Sequence, residues 1–237
     1  MNTSTDQAKS TPPNGSAEGA FQQATRVHGS FFAAMEKKAL ISMALRMPSW
    51  VNSDHLTLLG FAAQIGTGVC YALAFYDRRW LLVAIVCLAL NWFGDSLDGT
   101  LARVRHQQRP RYGFYLDHII DSIGSVAMMG GLALSGYMHP LIAIGLLIMF
   151  LLLSIQSYLA TYTLGEFHLS MWHFGPTELR ILLAVGNLAA LHWPRVIHGR
   201  YRLFDIGGAI GLVGMLLMLI VSCAKNTVRL YREERIS

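Results

Sequence analysis

The chain has 237 residues, of which 53% are hydrophobic and 14% are charged, and its formal net charge is +5. Soluble proteins usually contain about 25% charged residues, so this composition excludes an ordinary soluble domain and favours an integral membrane protein. The basic residues flank apolar segments and form no patch interleaved with aromatic side chains, so nucleic acid is not an expected partner.

Two polar regions precede the first long apolar segment. Residues 1–28 are rich in Ser, Thr, Gln, Pro and Gly and have no apolar periodicity, which predicts a disordered tail. Residues 29–47 place apolar side chains at helical spacing around Glu36, Lys37 and Lys38. This pattern predicts an amphipathic juxtamembrane helix along the membrane surface, and packing of the same helix on the protein is a compatible alternative.

Six apolar segments follow, each close to the roughly 20 residues that cross the hydrocarbon core of a bilayer. They lie at about 56–76, 80–103, 113–136, 140–162, 178–194 and 204–224. The predicted fold is therefore an all-α integral membrane protein, with a six-helix transmembrane domain over residues 48–225 and a basic tail at 226–237.

The distribution of basic residues predicts the orientation of these segments. With six spans both termini lie on one side, and that side carries 14 Lys and Arg residues against 5 on the other. Because basic residues are retained in the cytoplasm, we expect both termini and the segment between the second and third spans to be cytoplasmic, in the inner membrane of a bacterium.

Four aspartates stand out within the second and third spans, at Asp95, Asp98, Asp117 and Asp121. An ionised Asp near the bilayer centre costs roughly 2.5–3.5 kcal/mol, so such residues usually face a wet cavity, a partner or a cation. The spacings of three and four residues place each pair on one helix face. Carboxylate oxygens are ligands for Mg²⁺, so the two pairs predict a divalent metal site, whereas helix capping or loop charges would be the simpler interpretation.

The same stretch carries a longer pattern, Asp95-x2-Asp98-Gly99-x2-Ala102-Arg103 followed by Gly113-x3-Asp117-x3-Asp121. It resembles the signature of the CDP-alcohol phosphotransferases, or CDP-alcohol phosphatidyltransferases, integral membrane enzymes of phospholipid synthesis. The nine residues between Arg103 and Gly113 exceed the usual spacing by one. A loop absorbs such a residue at little cost, but within a helix it would keep the two Asp pairs from converging.

The resemblance implies a metal-dependent transferase that moves a phosphatidyl or phosphoalcohol group from a CDP-linked donor to an alcohol and releases CMP. It implies two Mg²⁺ or Mn²⁺ ions held by the four aspartates, with Asp117 and Asp121 catalytic and Asp121 either a metal neighbour or the general base. The residues implied to contact the donor are Thr57, Gly99, Ala102, Arg103 and Gly113. Asp54 stands where the family has Asn, so Thr57 is equally well interpreted as a residue of the first turn of its helix.

Two pairs of substrates are compatible with the signature. One is CDP-diacylglycerol with a small polar acceptor, and the other is a CDP-amino alcohol with diacylglycerol. His118, and Glu178 in Gly175-Pro176-Thr177-Glu178, resemble the choline and ethanolamine phosphotransferase branch. His118 is either a general base or a residue of a wet interface, and Glu178 either faces an amino alcohol or begins a helix.

The family also implies contact with membrane lipids and a homodimer. Two other classes of protein are alternatives, a cation- or proton-coupled transporter that uses the intramembrane aspartates and a non-catalytic membrane scaffold.

Overall fold

The structure is a computed structural model, and it describes residues 33–164, 176–196 and 200–235. Within these residues the chain forms seven helices and one pair of two-residue strands. In chain order these are α1 Ala33–Arg46, α2 Ser53–Leu73, α3 Trp80–Val104, α4 Pro110–Leu134, α5 Pro140–Leu164, α6 Pro176–His192, β1 Arg195–Val196, β2 Tyr201–Arg202 and α7 Leu203–Glu233. The predicted disordered tail at 1–28 lies outside the described residues.

The six predicted apolar segments correspond to helices α2 to α7. Pro110, Pro140 and Pro176 begin α4, α5 and α6, because proline fits the first turn of a helix, where its missing N–H is not needed. The largest differences lie near the C-terminus. The antiparallel strands β1 and β2 lie between the fifth and sixth predicted apolar segments, and α7 continues to Glu233, through most of the predicted basic tail.

Of the seven described helices, four are long and apolar enough to cross a membrane: α2, α3, α5 and α7. Helix α4 carries Asp117, His118 and Asp121 in its first half, which lowers its mean hydropathy, and α6 has only 17 residues. The architecture is that of an all-α membrane protein, and the four aspartates lie on α3 and α4.

Helix α2 lies at the centre and packs against both α3 and α4. Glycines allow this close approach, which is the usual role of small residues between membrane helices. A Cβ placed on Gly94 of α3 would lie 2.6 Å from the backbone nitrogen of Gly60, and one placed on Gly131 of α4 would lie 2.7 Å from the Cα of Gly68. Backbone therefore meets backbone on both sides of α2, and α3 and α4 are held beside each other.

Helix α1 packs against α3. Leu40 and Ala44 of α1 are buried in a cluster with Leu56, Leu97 and Leu101. The structure thus contains the packing of α1 on the protein that the amphipathic pattern allowed.

The loop of residues 105–109 joins α3 to α4. Arg105 donates hydrogen bonds to the carbonyl oxygens of Met47, Pro48 and Val51, at 3.0, 2.8 and 2.5 Å. These bonds tie the loop to the turn between α1 and α2, so the end of α3 is fixed against that part of the chain.

Candidate active site

Three of the four aspartates converge between α3 and α4. Asp95, Asp117 and Asp121 each offer one carboxylate oxygen, and these oxygens all lie within 4.8 Å of one another. The longer spacing between Arg103 and Gly113 therefore does not separate the two helix faces. Three anionic oxygens at such distances, all partly accessible, are a suitable donor set for Mg²⁺ or Mn²⁺.

Asp98 lies on the same helix face but outside this group of three. Its Oδ2 accepts a hydrogen bond from Thr57 Oγ1 at 2.6 Å, and its Oδ1 contacts the backbone N–H of Gly99. The hydroxyl of Ser53 also donates to the backbone carbonyl of Asp98 at 3.0 Å. The start of α2 therefore holds Asp98 through both backbone and side chain, and its role as a fourth metal ligand stays a prediction.

The small residues of the motif leave space beside the aspartates. Among the described residues, a Cβ placed on Gly113 would have no atom of another helix within 4 Å, and one placed on Gly99 would meet only the guanidinium of Arg103, at 3.5 Å. Ala102 is partly exposed on the same stretch. Gly99 and Gly113 differ from Gly94 and Gly131, because no described residue of another helix packs against them and their backbone is open to a ligand.

Arg103 is exposed near the end of α3 and donates a hydrogen bond from Nη2 to Thr100 Oγ1 at 2.9 Å. Its planar guanidinium suits the binding of a phosphate group by two parallel hydrogen bonds.

Arg180 of α6 also lies in the site, although the sequence motifs did not identify it as a site residue. Its Nη2 lies 2.6 Å from Asp95 Oδ2, and its Nε lies 2.7 Å from Asn91 Oδ1. Arg180 is the one Lys or Arg in the predicted segment 178–194. A basic residue isolated in an apolar segment is the signal that could have linked it to the intramembrane acids.

His118 is half-buried beside the three aspartates. Its Nδ1 lies 2.6 Å from the carbonyl oxygen of Phe114 and 3.8 Å from Asp117 Oδ2, and its ring packs edge-on against Tyr158 at 5.0 Å. Because a carbonyl oxygen can only accept, the short contact places a proton on Nδ1. This geometry directs the Nδ1 edge of His118 toward the backbone of α4.

The two remaining residues singled out from the sequence lie at helix starts. Asp54 is in the first turn of α2 and forms an ion pair with Arg109, in which both side chains are about half exposed. Exposed pairs of this kind add little stability. Glu178 is partly buried in the first turn of α6, and Gly175 of the same motif lies outside the described residues.

Comparison with known proteins gives one family and several relatives. A family model described as CDP-alcohol phosphatidyltransferase matches residues 50–223. The chain is 36% identical to a phosphatidylinositol phosphate synthase of Streptomyces avermitilis over 84 residues, which are 35% of this chain and 32% of that protein. It is 31% identical to an archaetidylinositol phosphate synthase of Pyrococcus horikoshii over 86 residues, 36% of this chain and 43% of that protein.

A third relative matches over a longer stretch. The chain is 30% identical to the inner membrane protein YnjF of Escherichia coli over 151 residues, which are 58% of this chain and 70% of that protein. The family match covers the helices that carry all four aspartates, Arg180 and the close glycine contacts. This chain therefore belongs to the CDP-alcohol phosphatidyltransferase family.

Proposed function

We propose that this protein is a phospholipid-biosynthetic transferase that moves a phosphatidyl or phosphoalcohol group from a CDP-linked donor to an alcohol, with release of CMP. The observation that supports the proposal most strongly is the convergence of Asp95, Asp117 and Asp121 within the signature of the family. A transporter or a scaffold has no use for the open helix surface at Gly99 and Gly113 in register with these acids.

The relatives favour one choice of substrates. Two of them are named for the synthesis of inositol phosphate lipids. We therefore propose a CDP-linked lipid, with CDP-diacylglycerol first, as the donor and a phosphorylated polyol such as inositol phosphate as the acceptor. A CDP-amino alcohol with diacylglycerol is the second candidate, supported by His118 and Glu178 alone.

Each residue of the site has a proposed role. Asp95, Asp117 and Asp121 hold the divalent metal, and Asp98 joins them as the family signature implies. When bound, Mg²⁺ or Mn²⁺ neutralises the diphosphate and makes its phosphorus easier to attack. Gly99, Ala102 and Gly113 let the donor approach the helix backbone, and Arg103 binds one of its phosphates.

The reaction is an in-line displacement at phosphorus. The acceptor oxygen forms a bond to the phosphorus, the bond from this phosphorus to the CMP oxygen breaks, and the hydroxyl proton passes to Asp121. Asp121 is preferred to His118 as the base because its carboxylate lies within the group of three. The bundle contributes mainly the positioning of the reactants and charge stabilisation.

The placement in the membrane is also a proposal. We infer that α2 to α7 all cross the membrane, that α1 lies along its cytoplasmic surface, and that both termini and the 105–109 loop face the cytoplasm of a bacterial cell. The excess of basic residues on that side supports this orientation. A cysteine introduced at exposed Gln107 should react with an impermeant thiol reagent only when the cytoplasmic side is accessible. Labelling of this cysteine in intact cells would show that the orientation is the opposite one.

We also propose that the protein forms the homodimer that the family resemblance implies. Light scattering of the protein in detergent would measure its mass. A monomer under all conditions that support turnover would contradict the homodimer.

The test of the proposed function is release of CMP by the purified chain in nanodiscs, with CDP-diacylglycerol and a series of acceptors. Asp117→Asn or Asp121→Asn should lower turnover by about 100-fold or more. Asp77→Asn, which neutralises an exposed aspartate between α2 and α3, should leave turnover unchanged. Turnover that persists after removal of divalent metals, or in both site variants, would refute the proposal.

A further inference from the structure

A cation that belongs to the protein lies against one of the three converging carboxylates. Arg180 Nη2 is 2.6 Å from Asp95 Oδ2, and the two side chains are 15% and 25% exposed. Asp95 also contributes an oxygen to the group of three. Because like charges repel strongly where water is partly excluded, Arg180 opposes the binding of a divalent cation at this point.

Arg180 is held by a second, preset contact. Its Nε donates to Asn91 Oδ1 at 2.7 Å, and the Nδ2 of Asn91 donates to the carbonyl oxygen of Gly60 at 2.9 Å. Asn91 is only 4% exposed. The guanidinium therefore binds a fixed amide and a carboxylate one turn apart on α3, an arrangement more specific than an exposed ion pair.

One turn earlier on α6, a carboxylate from α1 holds the same helix. Glu36 Oε1 accepts a hydrogen bond from Thr177 Oγ1 at 2.9 Å and another from Trp92 Nε1 at 2.8 Å. Trp92 directly follows Asn91 on α3. A single oxygen of Glu36 thus joins α1, α3 and α6 beside the contact that Arg180 makes.

We propose that Arg180 is an internal counter-ion that sets the affinity of the carboxylate site for divalent cations, and that Glu36 is a positioning residue that keeps Arg180 in place through α6. The proposal rests on the proposed function only in that Asp95, Asp117 and Asp121 bind a divalent cation. Without Arg180 the metal-free site carries more uncompensated negative charge. Such a site binds a divalent cation more tightly and is less stable when empty.

The test is Mn²⁺ binding by the full-length protein in detergent, without any CDP-linked compound. The electron paramagnetic resonance signal of free Mn²⁺ measures how much of the ion is bound. Arg180→Gln should lower the Kd for Mn²⁺ by about tenfold or more, as expected for loss of one adjacent positive charge. Arg180→Lys keeps the charge and should stay within about threefold of the wild type. Arg229→Gln removes an exposed arginine of α7 and should leave the Kd unchanged.

The positioning role of Glu36 is tested by a second pair of variants. Glu36→Ala removes the acceptor and should lower the Kd for Mn²⁺ in the same direction as Arg180→Gln. Glu36→Gln keeps a carbonyl oxygen that can accept both hydrogen bonds and should restore the wild-type Kd. Thr177→Val, which removes one donor at nearly constant volume, should resemble Glu36→Ala and provides a second measure if either other variant fails to fold.

The increase in Tm that Mn²⁺ causes is a second readout, and a purely structural role of Arg180 would not change it. A ligand that binds the folded state raises the Tm according to its affinity, so Mn²⁺ should raise the Tm of Arg180→Gln more than that of the wild type. Equal Kd values for Arg180→Gln and the wild type would overturn the inference while leaving the proposed function intact, provided that Asp117→Asn weakens binding. Wild-type protein that binds no Mn²⁺ would overturn both, and a wild-type Kd in Glu36→Ala and Thr177→Val would overturn the role of Glu36.

Discussion

Thr57 contacts Asp98, the aspartate that lies outside the group of three. The 2.6 Å hydrogen bond from Thr57 Oγ1 engages Asp98 Oδ2, while the carbonyl oxygen of Ser53, one turn earlier on α2, lies 3.1 Å from the same hydroxyl. A hydroxyl has one proton, and the shorter contact to the carboxylate is the stronger bond. Thr57 therefore acts on the site through Asp98, and it does so from the second turn of α2.

Replacing Thr57 tests whether this orientation matters. Thr57→Val removes the hydroxyl at nearly constant volume and should lower CMP release by about 10- to 100-fold, as is typical when a hydrogen-bond partner of a metal ligand is lost. Thr57→Ser keeps the donor and should retain most of the activity. Full activity in Thr57→Val, measured beside a folded control by circular dichroism, would show that Asp98 needs no orienting contact.

At the scale of residues, the sequence predicted those site residues that share one helix face at short spacing. Asp95 and Asp121 could be placed in one site because each belongs to a pair on a single helix face, and the structure brings these faces together. The contact of Arg180 with Asp95 joins residues 85 positions apart on different helices, and no spacing rule relates them. The bonds of Glu36 to Trp92 and Thr177 were hidden for the same reason.

At the scale of elements, glycines determine how closely α2 can approach its neighbours. Gly131 of α4 lies directly against the backbone of Gly68, whereas a Cβ on adjacent Gly130 would have no atom of another helix within 4 Å in the part of the chain that the structure describes. The two glycines are adjacent on the same helix, but only Gly131 is needed for the close contact with α2. This difference provides a matched pair of substitutions.

Gly131→Ala should destabilise the protein by about 1–3 kcal/mol, because the added methyl group forces α4 away from α2. Gly130→Ala should be neutral or slightly stabilising, since alanine favours helix over glycine. Thermal unfolding in detergent measures both variants. Equal Tm values for the two would mean that the close contact between α2 and α4 does not limit stability.

The helices themselves were predictable, because apolar length and proline starts are properties of contiguous sequence. The strand pair was not, since Arg195 and Arg202 face each other in it and like charges opposite one another are unfavourable. The extension of α7 beyond the apolar segment was also missed. Its last turns carry Arg229 and Glu233, which form an ion pair at helical spacing and support the helix beyond the predicted end of the span.

At the scale of the whole molecule, the site results from the order in which the helices pack. α2 contacts both α3 and α4, α6 covers α3, and α5 packs between α4 and α7. The largely exposed apolar surfaces of α5 and α7 suit contact with lipid, and the aspartates lie on helices nearer the centre. Hydropathy predicted how many segments to expect, but not that α2 would be central, because membrane helices are all apolar and small residues decide which faces meet.

The central claim is that Asp95, Asp117 and Asp121 bind a divalent cation together. Crystals grown with Mn²⁺ and a CDP-linked lipid, measured at the manganese absorption edge, would locate the ion by its anomalous scattering. We predict a peak bounded by carboxylate oxygens of all three residues, with the diphosphate beside it, and its loss in Asp117→Asn. A peak elsewhere in the protein, or a bound CDP-linked lipid with no peak among these oxygens, would contradict the account.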